Sequence, residues 1–162
     1  MANIGWSNEE DTLARVRRAV AEGARLVDLG PAGAAAIAAV RAAQPDVIVC
    51  ADAPGADLTR DQAIAERTGA ALLASPGESG PGAGLVAAAP TDVAPLTRAG
   101  WQVLVDVDGE NAAATVAVAA ICAWLGARII RTRQIGSVRQ AVDMVESIRG
   151  NRAPTWTRRG LA

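Results

Sequence analysis

Short apolar runs alternate along the chain with longer segments in which apolar residues recur at helical spacing. The segments of strand length, which are apolar or interrupted by one or two charged residues, cover residues 26–29, 47–50, 70–74, 85–86, 103–107 and 128–131. Run 47–50 is apolar throughout, which is typical of a strand buried on both faces. The pattern therefore predicts about six strands, each followed by a helix or a loop.

Polar residues with characteristic spacing mark the predicted helix starts. Ser7 with Glu10, and Thr59 with Gln62, have the spacing of a capping box, in which two side chains bond each other's backbone N–H groups. Ser137 is the predicted cap of the last helix. Further helices are predicted at 34–43, 92–99 and 111–125.

Strands that alternate with helices predict an α/β fold with a parallel sheet. Two architectures fit this alternation. One is an incomplete or shortened TIM-like (β/α) barrel with about six parallel strands, and the alternative is an open doubly wound α/β sheet. Residues 1–150 are predicted to form a single α/β domain, and residues 151–162 form a basic C-terminal tail.

The side-chain inventory excludes several reaction classes. The chain has no lysine and no histidine, so its 16 basic residues are all arginine. A lysine Schiff base, a histidine general base, a Ser-His-Asp triad and a His-ligated zinc site are therefore impossible. We expect no metal and no cofactor. Because the 16 basic residues nearly balance 17 acidic ones without forming a basic stripe, we expect no nucleic-acid partner.

Three features bear on the location of the protein. Residues 1–11 are polar and acidic, so they predict no targeting segment. The longest apolar run, 112–125, is too short to span a bilayer. Cys50 and Cys122 lie inside apolar runs and are expected to be buried free thiols. These features predict a soluble, cytoplasmic protein with no membrane partner.

Charged residues at predicted strand ends are the candidate ligand-binding residues. Arg131 and Arg133 stand two positions apart, so both can face one phosphate-type anion. The alternative is a solvated strand end, or ion pairs with Asp106 or Asp108. Asp52, Asp106 and Asp108 are candidates for acid–base chemistry or magnesium binding, because chemistry gathers at strand ends in barrels. Aspartates there are also common helix caps and loop residues.

Two further segments are weighed as binding elements. The glycine- and proline-rich segment 77–84 has the flexibility to cradle a phosphate, but it lacks the Lys-Ser/Thr of a phosphate-binding loop, so we favour a connector. Trp156 lies among Arg152, Arg158 and Arg159, as in a nucleic-acid-binding tail. We favour a tail that docks on the body of the protein or on a partner subunit.

The last third of the chain resembles a known family. Segments 111–115 (Asn-Ala-Ala-Ala-Thr), 123–131 (Ala-Trp-Leu-Gly-Ala-Arg-Ile-Ile-Arg) and 140–145 (Gln-Ala-Val-Asp-Met-Val) resemble the end of dihydropteroate synthases. Residues 100–105 resemble the approach to the family's seventh barrel strand, residues 21–30 its second helix–strand step, and residues 158–162 its tail. The resemblance is strongest to the second, divergent actinobacterial type. It is good from about Trp101 to the end and thin before Asp92.

The resemblance implies a pterin-binding barrel of folate biosynthesis. In that family a pterin pyrophosphate binds in the barrel mouth, and p-aminobenzoate displaces the pyrophosphate. Catalysis there is mostly positioning and stabilisation of the leaving group's charge. Asp52 matches the aspartate that ends the family's third strand, and Arg131 matches an arginine that ends the eighth. Arg133 replaces a histidine that follows it.

Several groups that the resemblance implies are absent. The first strand, with its Asn-Val-Thr signature, is expected to be missing or vestigial, because only residues 1–6 precede the first helix. The fourth strand, at 73–75, presents no asparagine, and Ala89-Pro90 stands for an Asp-Pro pair. Residues 106–110 (Asp-Val-Asp-Gly-Glu) replace a segment with a lysine, which reverses the charge where an anionic substrate should lie.

These observations leave two functions open. The first is a degenerate, non-catalytic dihydropteroate synthase-like protein, retained as a binding or subunit-interaction module. The second is an enzyme with altered pterin or phosphate-ligand chemistry, which uses Asp52, Arg131 and Arg133. Because an incomplete barrel leaves unpaired sheet edges, we also expect a homodimer or other homo-oligomer, or association with a related full-length chain.

Overall fold

The structure, a computed structural model, describes residues 1–75 and 84–153. Eight parallel strands lie in chain order within these ranges. They are β1 (Ala2–Asn3), β2 (Leu26–Asp28), β3 (Ile48–Cys50), β4 (Leu58–Thr59), β5 (Ala71–Ala74), β6 (Leu85–Ala88), β7 (Gln102–Asp106) and β8 (Ile129–Arg131). The α-helices there are α1 (Glu9–Ala21), α2 (Ala34–Ala43), α3 (Gln62–Thr68), α4 (Val93–Arg98), α5 (Ala112–Trp124) and α6 (Ile135–Ile148).

The first and last strands meet, so the sheet curls into a barrel. Ala2 bridges in parallel to Thr132, which directly follows β8. The backbone N–H of Asn3 donates to the Thr132 carbonyl at 2.9 Å, and the N–H of Thr132 donates to the Met1 carbonyl at 3.0 Å. The barrel is therefore correct among the two predicted architectures, and the open doubly wound sheet is wrong.

The described ranges contain two more strands than the six predicted. β1 and β4 have only two residues each, so neither forms an apolar run that the sequence pattern can reveal. The first strand, expected to be missing or vestigial, is present as short β1, which pairs with β2 and bridges to Thr132. Each described strand thus has a neighbour on both sides, and the expected unpaired edges are not found among them.

The expectation of a shortened, incomplete barrel is confirmed. The strands have two to five residues, and no helix links β3 to β4, which are joined by residues 51–57. Asp57 anchors this short link, because its Oδ2 accepts the Val49 N–H at 2.8 Å and its Oδ1 lies 2.8 Å from Nη2 of Arg41. The contacts of the Asp57 carboxylate therefore hold the link between β3 and β4 in place, where no helix packs.

Apolar side chains form one cluster inside the barrel and two between the barrel and its helices. The buried members of the interior cluster are Cys50, Leu58, Leu73, Leu85 and Leu104. The outer clusters pack β1–β3 against α1 and α2, and β6–β8 against α4–α6. Alternate residues of a strand share a face, so the residue two positions after Leu104 lies on the interior side at the strand end. That residue is Asp106.

Three predicted helix caps are wrong by a few residues. The cap of α1 is Asn8 rather than Ser7, and its side chain accepts the Asp11 N–H at 2.9 Å. The cap of α3 is Asp61 rather than Thr59, because Thr59 belongs to β4. The last helix begins at Ile135, before Ser137. No described helix is long and apolar enough to cross a membrane.

Candidate functional site at the barrel mouth

Polar side chains gather where the strands end. Asn3, Asp28, Asp106 and Arg131 are the last residues of β1, β2, β7 and β8, and Arg60 directly follows β4. Because the strands are parallel, their carboxyl ends open at one end of the barrel, where catalytic groups of such barrels lie. We call this set, together with Asp52, the barrel mouth.

Asp28 is the buried centre of the barrel mouth. Only 1% of its surface is exposed. Its Oδ2 lies 2.6 Å from Nη2 of Arg60 and 2.7 Å from Nε of Arg131. Its Oδ1 accepts the backbone N–H of Gly30 at 3.0 Å, and the φ of Gly30 is +64°, a conformation that glycine adopts readily. Arg60 and the Gly30 N–H therefore hydrogen-bond this buried carboxylate, and Arg131 adds a second positive charge beside it without a hydrogen bond from its Nε.

These contacts decide the protonation of Asp28. Burial alone raises the pKa of a carboxyl, because it disfavours the charged form. The hydrogen bonds from Arg60 and Gly30, with the positive charges of Arg60 and Arg131, outweigh burial and hold the pKa of Asp28 below its usual value of 3.8. Asp28 is therefore ionised at neutral pH and unsuited to act as a general acid there.

Arg131 spans three strands. Its Nε contacts Asp28 on β2, its Nη2 donates to Oδ1 of Asn3 on β1 at 2.8 Å, and its Nη1 donates to Oδ2 of Asp106 on β7. The side chain is 24% exposed. All three of its nitrogens thus have an oxygen of the protein beside them, and the ion pair with Asp106 that the sequence offered as an alternative is present.

Asp52 lies on the other side of the barrel mouth, beside Arg60. Its Oδ1 accepts the Arg60 backbone N–H at 3.1 Å, and its Oδ2 lies 3.8 Å from Nη1 of the same arginine. The barrel mouth therefore brings together three of the predicted residues, Asp52, Asp106 and Arg131. With Asp28 and Arg60 included, three carboxylates face two guanidinium groups.

Arg133 forms a second, more exposed pair with Asp108. Oδ1 of Asp108 accepts the Thr132 hydroxyl at 2.8 Å and the Arg133 backbone N–H at 2.9 Å, and its Oδ2 accepts the Arg133 Nε at 3.0 Å. Burial opposes the charged form, but these hydrogen bonds lower the pKa of Asp108 below its usual value. Arg131 and Arg133 thus contact different carboxylates. Their shared binding of an anion stays a prediction.

Sequence reasoning missed three residues of the barrel mouth. Asp28 had a signal, because it is an acidic residue inside the strand-length run 26–29. Arg60 had none, since it follows β4, which is too short to be recognised. Asn3 was set aside with the first strand. Its position at the end of β1 places an asparagine where the resemblance implies the Asn-Val-Thr segment.

The two cysteines are free and buried, as the sequence predicts. Cys50 pairs in register with Asp28 and belongs to the interior cluster. Burial and then the charge of Asp28 raise the pKa of Cys50 to about 12. Burial also raises the pKa of Cys122. Since the thiolate is the reactive form, neither residue is a nucleophile at neutral pH.

The other binding elements considered from the sequence, a metal site, segment 77–84 and the C-terminal tail, contribute no described residue to the barrel mouth. Within residues 1–75 and 84–153, no group of three or more Cys, Asp or Glu residues is placed to hold a metal ion. Segment 77–84 lies outside the described residues except for Gly84, and so do Trp156, Arg158 and Arg159. Arg152, at the start of the predicted tail, pairs with Asp143 of α6.

A cavity of about 540 Å³ lies between α6 and the amino ends of β2 and β8. Its lining includes Arg25 and Leu26 at the start of β2, and Arg128 and Ile129 at the start of β8. Catalytic groups of such barrels lie at the carboxyl ends of the strands, whereas the other face serves stability. We therefore place the candidate site at the barrel mouth and not in this cavity.

Sequence comparison finds part-length relatives. No family model matches the chain. "Inactive dihydropteroate synthase 2" of Mycobacterium bovis is 40% identical over 83 residues, which cover 43% of this chain and 26% of that protein. The Mycobacterium leprae protein of the same name is 34% identical over 80 residues, covering 41% of this chain and 28% of the relative. The match thus spans about a quarter of the length of these curated relatives.

Structural comparison extends the similarity to nearly the whole chain. Mycobacterium tuberculosis Rv1207 superimposes with a TM-score of 0.76 and 24% identity, covering 95% of this chain and 93% of that one. Dihydropteroate synthase of Yersinia pestis superimposes with a TM-score of 0.73 and 17% identity, covering 94% and 93%. Identities this low establish the fold alone. Together with the part-length sequence match, they identify the chain as a divergent, dihydropteroate synthase-like protein that resembles the second mycobacterial type.

Proposed function

We propose that this chain is a degenerate, non-catalytic dihydropteroate synthase-like barrel, retained as a binding or subunit-interaction module. The observation that carries the proposal is the pairing of both arginines of the barrel mouth with carboxylates of the same chain. The relatives with 34–40% identity are themselves named inactive.

Charge at the barrel mouth opposes an anionic substrate. Arg131, which the resemblance implies as a pyrophosphate or carboxylate ligand, is engaged by Asp28, Asp106 and Asn3. A pyrophosphate can reach its guanidinium only by displacing these oxygens. Displacement would leave buried Asp28 with Arg60 as its one arginine partner and bring a second anion close to it, and close like charges away from water repel each other strongly.

The seventh strand supports the same proposal. β7 ends at Asp106, and Asp108 follows, where the resemblance implies a lysine. Both carboxylates neutralise arginines of the same chain instead of leaving a cation for a leaving group. Loss of one donor that stabilises developing charge commonly lowers a rate by ~10²–10³. Several such groups are absent here, so we expect no measurable turnover.

The direct test is an assay for product. The purified chain is incubated with the pterin pyrophosphate and p-aminobenzoate, beside a full-length synthase under the same conditions. We expect no dihydropteroate from the chain alone. A sample that mixes both proteins serves as the control, because an unchanged synthase rate shows that the preparation contains no inhibitor. Product formed at a rate near that of the synthase would reject the proposal.

A second candidate, an enzyme with altered phosphate-ligand chemistry, is favoured by the exposure of Arg133. Its side chain is 71% exposed, and only its Nε pairs with Asp108. Among the described residues its two terminal nitrogens have no partner, which leaves them available for the parallel hydrogen bonds that phosphate accepts.

Thermal melts with pyrophosphate at matched ionic strength test the second candidate. A ligand that binds the folded state raises the melting temperature by mass action. If Arg133 binds the anion, Arg133→Ala removes the rise, and Arg17→Ala, which removes an exposed arginine on α1, keeps it. No rise in the parent protein would eliminate the anion site and leave the non-catalytic module.

A further inference from the structure

The cavity between α6 and the amino ends of β2 and β8 has the size of a small-molecule site. Its volume of about 540 Å³ lies within the range of roughly 300–1,000 Å³ that is typical of ligand pockets. We call it the amino-end cavity. Because the catalytic groups of such barrels lie at the other ends of the strands, a ligand in this cavity would be bound and not converted.

Apolar side chains form part of the lining of the amino-end cavity. Val138 and Val142 of α6 stand four positions apart, so they lie on one face of the helix. Leu26 and Ile129, the first residues of β2 and β8, also line the cavity. These side chains offer a surface on which the apolar body of a ligand can be removed from water.

The two carboxylates that line the amino-end cavity are already paired with arginines. Asp143 accepts from Nε of Arg139 at 2.9 Å and also pairs with Arg152. Burial opposes the charged form of Asp143, but the hydrogen bonds from these two arginines hold its pKa below its usual value. Oε1 of Glu146 lies 3.9 Å from Nη1 of Arg149. The lining therefore presents no unpaired negative charge to a ligand.

Two arginines of the lining have no partner within residues 1–75 and 84–153. Arg25 directly precedes β2 and Arg128 directly precedes β8, and both side chains are exposed. Neither guanidinium group makes an ion pair or a hydrogen bond with a described residue. The amino-end cavity therefore has two positive charges that the protein itself does not neutralise.

Arg25 and Arg128 lie on the same side of the barrel wall. Arg25 shares a strand face with Val27, and Arg128 with Ile130, because alternate residues of a strand point to one side. Val27 and Ile130 pack in the outer clusters, so both arginines lie on the side of the helices. Since β1 lies between β2 and the residue that follows β8, the two strands are about 10 Å apart, or two strand spacings. Two long side chains can span this distance and reach one anion.

We propose that the amino-end cavity binds a small organic anion with an apolar body, and that Arg25 and Arg128 hold its charged group. A guanidinium group donates two parallel hydrogen bonds to a carboxylate, sulfonate or phosphate and keeps its charge at any physiological pH. The apolar side chains of α6 and the strand starts contact the rest of the ligand. This site is separate from the barrel mouth, so it does not depend on whether the chain makes dihydropteroate.

The C-terminal tail fits this cavity less well than a free anion does. Asn151 lines the cavity, so the tail begins beside it. Residues 151–162 contain three arginines and no aspartate or glutamate. Because like charges repel, a basic segment is a poor match for a cavity whose two unpaired groups are arginines. Charge therefore favours a separate, anionic ligand.

Binding of anilinonaphthalene sulfonate, an organic anion that fluoresces in apolar surroundings, tests the site on the full chain. We expect a dissociation constant on the order of 10 µM in the parent protein. Arg25→Glu and Arg128→Glu should each weaken binding at least about tenfold, because each removes a charge-assisted donor and adds a repelling carboxylate. Arg67→Glu is the matched control, since it makes the same change of charge at an exposed position on α3, which packs against β4 and β5.

A neutral probe separates the recognition of charge from apolar contact. Phenylnaphthylamine has the same rings without the sulfonate, so its affinity should change less than about twofold in Arg25→Glu and Arg128→Glu. Val142→Trp, which narrows the cavity without changing its charge, should weaken both probes about tenfold. Circular dichroism checks that each variant is folded. If Val142→Trp does not fold, the two arginine variants decide the result.

Two results would overturn the anion site. One is a sulfonate probe that does not bind the parent at about 100 µM, and the other is a probe that binds the parent and both arginine variants equally. Trp156→Ala, a change in the tail, should leave the affinity unchanged. Tighter binding in that variant would mean that the tail competes for the cavity, which would reject a free anion as its occupant.

Discussion

Arg131, the last residue of β8, reaches across β1 and places its Nε 2.7 Å from Oδ2 of Asp28, the last residue of β2. The strand between them contributes Asn3, whose side-chain oxygen accepts from the same guanidinium at 2.8 Å. The Arg131 side chain thus links the ends of neighbouring strands where the barrel closes. The resemblance implies that this arginine binds a ligand, whereas here it makes contacts within the protein that stabilise the barrel.

The first prediction concerns the contribution of the Arg131–Asp28 contact to the free energy of unfolding. Arg131→Ala leaves buried Asp28 with Arg60 as its one remaining arginine partner, so we expect a loss of roughly 2–3 kcal/mol in the free energy of unfolding, toward the lower end of the range for broken buried pairs. Urea denaturation followed by circular dichroism measures it. Arg133→Ala is the matched control, because Arg133 is 71% exposed and Asp108 keeps the Thr132 hydroxyl and the backbone N–H of residue 133 as donors, so the lost pair should contribute less than about 1 kcal/mol.

Equal losses in the two variants would contradict the structural role of Arg131. So would a stabilised Arg131→Ala protein, since that result would mean that Asp28 is better solvated without its partner. Neither result depends on any ligand. The comparison therefore tests the geometry of the barrel mouth and not the proposed function.

A second prediction follows from the lowered pKa of Asp28. A carboxyl whose pKa is lower in the folded state contributes stability that is fully present above its unfolded value and is lost as the pH falls through the folded value. We therefore expect the free energy of unfolding to fall as the pH drops below about 3.8, the ordinary value of this group. Urea denaturation at a series of pH values follows this loss.

Asp28→Asn should lower stability at neutral pH and flatten its dependence on acid. Some dependence should remain, because Asp108 and Asp143 also have lowered pKa values and act with the same sign. Asp46→Asn is the control, since Asp46 is exposed and makes no ion pair within the described residues. A pH profile of Asp28→Asn that matches the parent's in slope would show that Asp28 does not carry the effect.

The third prediction compares a helix cap that the structure shows with one that only the sequence predicts. The Asn111 side chain accepts the Ala114 N–H at 2.9 Å at the start of α5, so Asn111→Ala should cost about 1 kcal/mol. Ser137 is the cap that the sequence favours for the last helix, but it lies inside α6 and is exposed. Ser137→Ala should therefore change stability by less than about 0.5 kcal/mol. A larger loss at Ser137 than at Asn111 would refute this assignment.

The caps illustrate what the sequence can and cannot establish about this fold. Residues 103–105 of β7 predict their strand because a strand buried on both faces is apolar along its buried length. Strands β1 and β4 could not be predicted, because two residues are too few to show a hydrophobic pattern. Their pairing depends on neighbouring strands that are distant in the chain, as the bridge from Ala2 to Thr132 shows.

The same distinction between predictable and unpredictable features applies to the residues of the candidate site. Asp106 and Arg131 end strands that the sequence predicts, so their ion pair could be named in advance as an alternative to anion binding. The contact of Arg60 with Asp28 joins residues 32 positions apart through a strand that left no signal. Residues placed by recognisable strands were predictable, whereas a partner that depends on an unrecognised strand was not.

The last prediction concerns Cys50, which belongs to the interior cluster and pairs in register with Asp28 on the neighbouring strand. With the pKa of Cys50 raised to about 12, roughly one molecule in ten thousand carries the thiolate at pH 8, and burial also bars the reagent. We expect a Cys122→Ala variant, in which Cys50 is the sole cysteine, to give no reaction with a thiol reagent at pH 8 within the time needed to label a denatured sample fully. Adding Asp28→Asn should leave the native thiol unreactive, because burial is the first cause of the raised pKa and the charge of Asp28 the second. Labelling of one thiol per native chain within minutes would mean that the barrel interior opens readily, which would contradict a packed interior closed by the Asp28–Arg131 pair.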